Sequence, residues 1–232
     1  MNDISNELMT KLNETKIAFT IPVFGGIPVP ESAVVTWVIM AVLVLLSVIF
    51  VRNLKLAPNG RIQIALETFI GWIYNFFTDI FGEKGRKYIP FLATVLIYIG
   101  CANIVGLFGL TPPTKDLNVT AGLAVMSIVL VEYAGISAKG GKGWLKSFTK
   151  PMSIMTPLNI LEIVIKPLSL CMRLFGNVLG SFVIMELIKM VVPLFVPMVL
   201  SLYFDIFDGL LQAYVFVFLT SLYIQEAVET DE

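Results

Sequence analysis

Residues 167–180 read PLSLCMRLFGNVLG, with Arg173 at the centre of an otherwise apolar run. At membrane depth an arginine costs about 2.5–3.5 kcal/mol on insertion scales, so it is normally turned towards protein, water or a carboxylate. Snorkelling is the bland alternative, but Arg173 lies about 17 residues from either end of its apolar run, too deep for that to be easy. On a helix turning about 100° per residue, Glu162, Lys166, Ser169, Asn177 and Gly180 fall within about 40° of Arg173. A second stripe follows: Ser201, Asp205, Asp208 and Gln212 are spaced four, three and four apart, and Thr220 and Tyr223 continue it. One aspartate could be a structural hydrogen-bond acceptor. Two of them, aligned with Ser201 and Gln212 opposite an arginine helix, suggest a hydrated or ion-handling face. A guanidinium holds its proton permanently. It can, however, force a nearby carboxylate to ionise, because an opposite charge within about 4–6 Å lowers an acid's pKa by about 1–3 units.

Further polar groups sit beside these stripes. Glu186 and Lys189 lie off the Arg173 face, and either line a cavity near the following turn or pair with each other. Asn103 and Glu132 lie within other apolar runs. Gly176 and Gly180 form a small-xxx-small pair that permits close helix approach, for packing or for a partner.

The elements that position these residues are membrane helices. Of the 232 residues, 57% are hydrophobic and 14% charged, against about 25% charged in soluble domains. Long apolar runs and the lack of alternating ten-residue strands indicate an all-α integral membrane protein, with five to six helices in one membrane domain over 33–232. Residues 33–51, 88–110 and 118–138 are spans, and the first alone reaches roughly 28 Å. Residues 61–82 mix aromatics with Arg61, Gln63, Glu67, Asn75 and Asp79, which fits an amphipathic interfacial helix, the alternative being a short span. Residues 156–190 and 193–227 form a hairpin of long helices that must tilt, bend or protrude. Lys166-Pro167 should bend the first of them. Residues 1–32 read as a tail with at most a short surface helix, its acidic start unlike a basic leader, and 139–150 read as a lysine-bearing loop.

Basic residues orient the chain. Six lie in 52–61 and 84–87, four in 139–150, and only Lys115 in 111–118. The first two groups belong to the cytoplasmic side, which places the N-terminus outside and the acidic C-terminus inside. A net charge of −1 gives no sign of a nucleic-acid partner. Cys101 and Cys171 lie in apolar runs without metal-ligand spacing and read as small buried hydrophobes. The absence of histidine excludes His-based acid–base chemistry and His metal sites.

No nucleophile–base pair, phosphate loop or dinucleotide fingerprint is present, so independent catalysis is not expected. No internal repeat of the kind secondary transporters carry is evident. What remains is a charge-handling scaffold whose ion-binding carboxylate sits on a partner. The alternatives are a self-contained channel or transporter, which would conduct unaided, and a structural assembly factor, which would tolerate loss of Arg173.

LSLCMRLFGNVLG, preceded by Lys166-Pro167 and followed by LLQAYVFVFLTSLYI, closely resembles the a subunit of F-type ATP synthases. NIVGLFGLTPP (103–113) and KDLNVTAGLA (115–124) also look like that family's segments. The resemblance implies a stator protein of a multi-pass bacterial plasma-membrane complex, with the last two helices tilted against a ring of c subunits, and with b subunits of the peripheral stalk and the rest of the F1Fo assembly as partners. It implies no cofactor and no bound metal, H+ or Na+ as the transported ion, and Arg173 as the arginine that meets each ring carboxylate between two offset half-channels. Asn177 and Gln212 match polar positions beside it. The sequence departs from a common bacterial pattern by placing Phe182, not an acid, nine residues after the arginine, and Asp205 seven residues before the glutamine where His or Glu is frequent. Asp205 and Asp208, with Glu186, are therefore expected to serve the outer half-channel.

Overall fold

The structure, a computed structural model, describes residues 17–21, 27–52, 54, 60–82, 85–108, 110–147, 156–192 and 195–229. The first described element corrects the expected tail. β1 (Ile17–Ile21) and β2 (Ile27–Pro30) pair antiparallel, with Phe19 opposite Val29 and Thr20 opposite Pro28. β-Branched and aromatic residues favour this pairing, and in a two-stranded ribbon both strands are edges, where the prolines' missing N–H groups are tolerated. The rest of the tail, with Asp3, Glu7 and Glu14, lies outside the described residues.

Six helices follow. α1 (Glu31–Val51) begins directly after Pro30, with Glu31 in the first turn complementing the helix dipole. Most of its length faces outward. Val35 and Ile39 alone pack as a buried pair, against Ala102. α2 (Arg61–Phe81) buries one stripe, Ile73, Phe77 and Phe81 at spacings of four, and leaves its charged face out, as an amphipathic helix does. Gly82 ends it at φ +59°, a conformation that favours glycine. α3 (Ile89–Ile104) is framed by 3-10 turns at Arg86–Tyr88 and Val105–Phe108, with Pro90 in its first turn. Five helical stretches are long and apolar enough to cross a membrane: Glu31–Val51, Arg86–Phe108, Leu117–Leu145, Thr156–Met190 and Val196–Val228. α2 is not among them. The protein is an all-α membrane protein, with six helices among the described residues, five of them of spanning length.

α4 (Leu117–Ser147) runs beyond the expected span. Residues 139–147, read as loop from Lys139-Gly140-Gly141, are helical on both sides of a bend at Gly140 (φ +72°, ψ 157°). The bend is held by Trp144, whose Nε1–H donates to Glu132 Oε2 at 2.8 Å, so the Glu132 carboxylate is used locally. Residues 148–155, with Lys150, lie outside the described residues.

α5 (Thr156–Val191) is a single long helix that contains Pro167. α6 has three parts: Phe195–Ser201, a π-helical Leu202–Asp208, and Gly209–Val228. α4 packs against both α5 and α6, and α6 also packs against α3. Phe77, Leu92, Ile99, Ala124, Leu170, Leu174, Phe216, Val217 and Ile224 form the shared core. Hydroxyls inside it bond their own helices: Thr220 Oγ1 donates to Phe216 O at 2.9 Å and Ser221 Oγ to Phe218 O at 2.6 Å.

Contacts define two ends of the bundle. At one end Ser32 Oγ donates to Asp116 Oδ2 at 2.6 Å, and the Lys115 ammonium lies 3.3 Å over the Phe182 ring. At the other, Lys87 Nζ donates to Ser137 Oγ at 2.9 Å, and Lys166 bonds Glu226.

Candidate functional site

Arg173 lies on the outer face of α5 and is exposed. On the same side of the helix, Gly176 and Asn177 are exposed as well. Among the described residues no carboxylate lies within ion-pair distance of it. One turn along, Asn177 Nδ2–H donates to Gln212 Oε1 at 2.6 Å, joining α5 to α6. Gln212 is 4% exposed, and its Nε2 is buried without a hydrogen-bond acceptor among the described residues. A Cβ added at Gly176 or Gly180 would meet nothing within 4 Å. The small-xxx-small pair is therefore not used for packing within the described chain.

Seven residues before Arg173, about 10 Å along the helix, Lys166 gathers a charged cluster. Its Nζ lies 3.3 Å from Glu162 Oε2 and 3.0 Å from Glu226 Oε2, and 5.2 Å from the Tyr223 ring centroid. Glu226 did not stand out in the sequence, although it follows Tyr223 by three positions and so shares its helix face. Thirteen residues beyond Arg173, about 20 Å, Glu186 pairs with Lys189 at 3.2 Å. The Arg173–Asn177–Gln212 group is thus flanked by one charged cluster towards each end of the bundle. Ser169 lies between Arg173 and Lys166, half-buried.

The second stripe differs from its expected form. Asp205 and Asp208 lie in the π-helical segment, where bonds run i to i+5 and each turn takes more residues than an α-turn. Positions seven apart then no longer share a face, and Asp205 parts from Gln212. Gln212 meets α5, whereas the Asp205 carboxylate lies against Gly106: a Cβ there would be 2.8 Å from Asp205 Oδ1. The Ser201 hydroxyl donates to Met198 O at 3.0 Å. Asn103 is buried, donating from Nδ2 to Gly209 O at 2.9 Å and accepting from Thr114 Oγ1 at 2.7 Å.

The family model described as ATP synthase A chain matches residues 33–225. The chain belongs to that family. Among its relatives, ATP synthase subunit a of Moorella thermoacetica is 37% identical over 205 residues, covering 88% of this chain and 93% of that one. ATP synthase subunit a 2 of a Bradyrhizobium species is 36% identical, covering 88% and 91%. The Propionigenium modestum protein, named ATP synthase subunit a, sodium ion specific, is 32% identical over 219 residues, covering 88% of this chain and 75% of that one. For a member of the ATP synthase A chain family, the arrangement holds a cation without a carboxylate partner among the described residues at an open helix face, between two polar clusters some 30 Å apart along one helix.

Proposed function

We propose that this chain is the stator half of a rotary ion path, with Arg173 facing the ion carboxylate of a partner c ring and two offset half-channels reaching it from opposite sides of the membrane. The observation that carries this reading is Arg173 itself, exposed and without a carboxylate partner among the described residues. Its face is left open by Gly176 and Gly180, so a ring helix can come close. An approaching carboxylate is driven to ionise by the guanidinium. That releases its ion, and the standing positive charge blocks direct passage between the half-channels.

The outer path runs past Glu186, Asp205 and Asp208, and the inner one past Ser169, Lys166, Glu162 and Tyr223. Ser201 flanks the outer path, and Asn177 and Gln212 order the junction between the two. The membrane potential supplies about 2.3 kcal/mol per elementary charge per 100 mV, and successive ions drive rotation for ATP synthesis. This chain contributes no bond chemistry. The transported ion is H+ or Na+, selected largely by the ring. The basic clusters support an N-terminus outside and a C-terminus in the cytoplasm of a bacterial plasma membrane, with residues 1–32 outside and 33–232 as one membrane domain. The family supports peripheral-stalk b subunits and the remaining F1Fo subunits as partners.

The test is Arg173→Ala in the complex reconstituted into vesicles. ATP-driven ion pumping should be lost while the complex remains assembled. Coupled pumping by that variant, or ion flux through the purified chain alone at the rate of the complex, would refute the reading.

A further inference from the structure

We propose that Asn103 and Gly106, at the C-terminal end of α3, are positioning residues that hold Asp205 in the outer ion path by pinning the π-helical turn of α6. The inference rests on the reading that Asp205 serves that path. π-Helical segments are rare and tend to occur at functional sites, so seven residues of one need outside support. That support comes from a single stretch of α3 and the 3-10 turn after it. Gly209 closes the π-segment, its N–H reaching Phe204 O at the i to i+5 spacing. The carbonyl of the same residue accepts from Asn103 Nδ2 at 2.9 Å.

Gly209 must be small for this. A Cβ there would stand 2.8 Å from Asn103 Cβ. The other end of the Asn103 amide is fixed by Thr114 Oγ1 at 2.7 Å, and Thr114 and Asn103 are both buried. The strut therefore runs from the 110–117 connection, through α3, to the backbone of α6. Three residues after Asn103, Gly106 leaves the space that the Asp205 carboxylate occupies.

One short segment thus fixes the end of the π-turn and receives the side chain the turn presents. Were the segment to relax to α-helix, the residues before Gly209 would shift by roughly one position, about 100° around the axis. Asp205 would then leave the gap at Gly106.

The test uses the intact ATP synthase in proteoliposomes and reads ATP synthesis against the activity of the coupling ion on the side opposite the catalytic head. Gly106→Ala places a methyl group against Asp205, and Asn103→Leu removes the strut at nearly constant volume. Each should raise the half-saturating ion activity, or slow uptake, by roughly ten- to a hundredfold, as small misplacements of a reacting group do. Chain content in the membrane, and ATP hydrolysis by the detached catalytic head, should stay unchanged. Combined with Asp205→Asn, neither should cause further loss, because both act through that carboxylate. Losses that multiply onto Asp205→Asn overturn the proposal. So does an unchanged ion dependence in Gly106→Ala, the milder variant should Asn103→Leu fail to assemble; in both cases a defect in Asp205→Asn leaves the outer-path reading standing. A silent Asp205→Asn overturns both.

Discussion

Asn177 donates to Gln212 across 2.6 Å, one helical turn from Arg173, and this is a direct side-chain bond between the two long helices of the hairpin. Because Gln212 is buried, the loss of either partner is asymmetric. Asn177→Ala strands a buried amide, whose desolvation costs about 1–3 kcal/mol, although interhelical bonds in membranes average only about 0.6 kcal/mol. Gln212→Leu leaves only the exposed Asn177 unpaired. Asn177→Ala should therefore destabilise the chain more than Gln212→Leu, and adding it to Gln212→Leu should cost almost nothing. SDS titration of the purified chain in mixed micelles measures both. Equal and additive losses would mean that the bond contributes little.

How far the sequence discloses this arrangement depends on whether the helical period holds. Arg173, Asn177, Lys166 and Glu162 lie on one α-helix, where Lys166 meets Glu162 at the i to i+4 spacing that a helical count expects. Asp205 and Asp208 defeat the same count because Leu202–Asp208 is π-helical, and nothing in LYFDIFD announces a change of period. The support for that change is tertiary, from Asn103 and Gly209, residues 106 apart. Residues 139–147 misled for a related reason. Three glycines in nine positions argue against helix, yet the Trp144–Glu132 bond and the positive φ of Gly140 draw the segment back onto the bundle. β2 is hidden by Pro28 and Pro30, which single-strand propensity disfavours and a two-stranded ribbon tolerates, and without β2 the strand β1 has no partner.

The bend at Gly140 should be sensitive in two separable ways. Gly140→Ala forces a side chain into a positive-φ, extended-ψ backbone that is almost confined to glycine, costing about 1–3 kcal/mol. Trp144→Phe keeps the ring but strands the Glu132 carboxylate, an unpaired polar group whose cost is about 1–3 kcal/mol where it is buried. Glu132→Gln retains an acceptor for the indole and should be nearly neutral. Thermal unfolding of the three variants in detergent ranks them. A Glu132→Gln loss as large as that of Trp144→Phe would show that the negative charge, rather than the hydrogen bond, matters.

The Lys166 cluster should matter more to transport than to stability. Glu226 and Glu162 side chains are 61% and 53% exposed, and Lys166 21%, so water and salt screen both pairs and each contributes at most about 1 kcal/mol. Glu226→Gln and Glu162→Gln should leave unfolding within that range, and raising the ionic strength should erase most of the difference. If the cluster borders the inner path, ATP-driven pumping in Glu226→Gln should fall well beyond what this stability change explains. Pumping at the wild-type rate would confine Glu226 to a structural pair.

Gly176 and Gly180 separate folding from assembly. Glycine within a helix costs about 1 kcal/mol relative to alanine, and no neighbour in the described chain stands within 4 Å of a Cβ at either position. Gly176→Ala should therefore stabilise the isolated chain by up to about 1 kcal/mol, and Gly176→Leu should be tolerated equally well. Both side chains would project from the face that carries Arg173, where a partner helix must come near for its carboxylate to reach the guanidinium. Gly176→Leu should thus weaken recovery of the c ring with this chain, and abolish coupled pumping, while the chain itself remains folded and inserted. Co-purification and detergent unfolding, measured on the same variant, distinguish the cases. An unstable Gly176→Leu chain would show that the glycine is needed within the fold, and a fully coupled complex would remove this face from the ring interface.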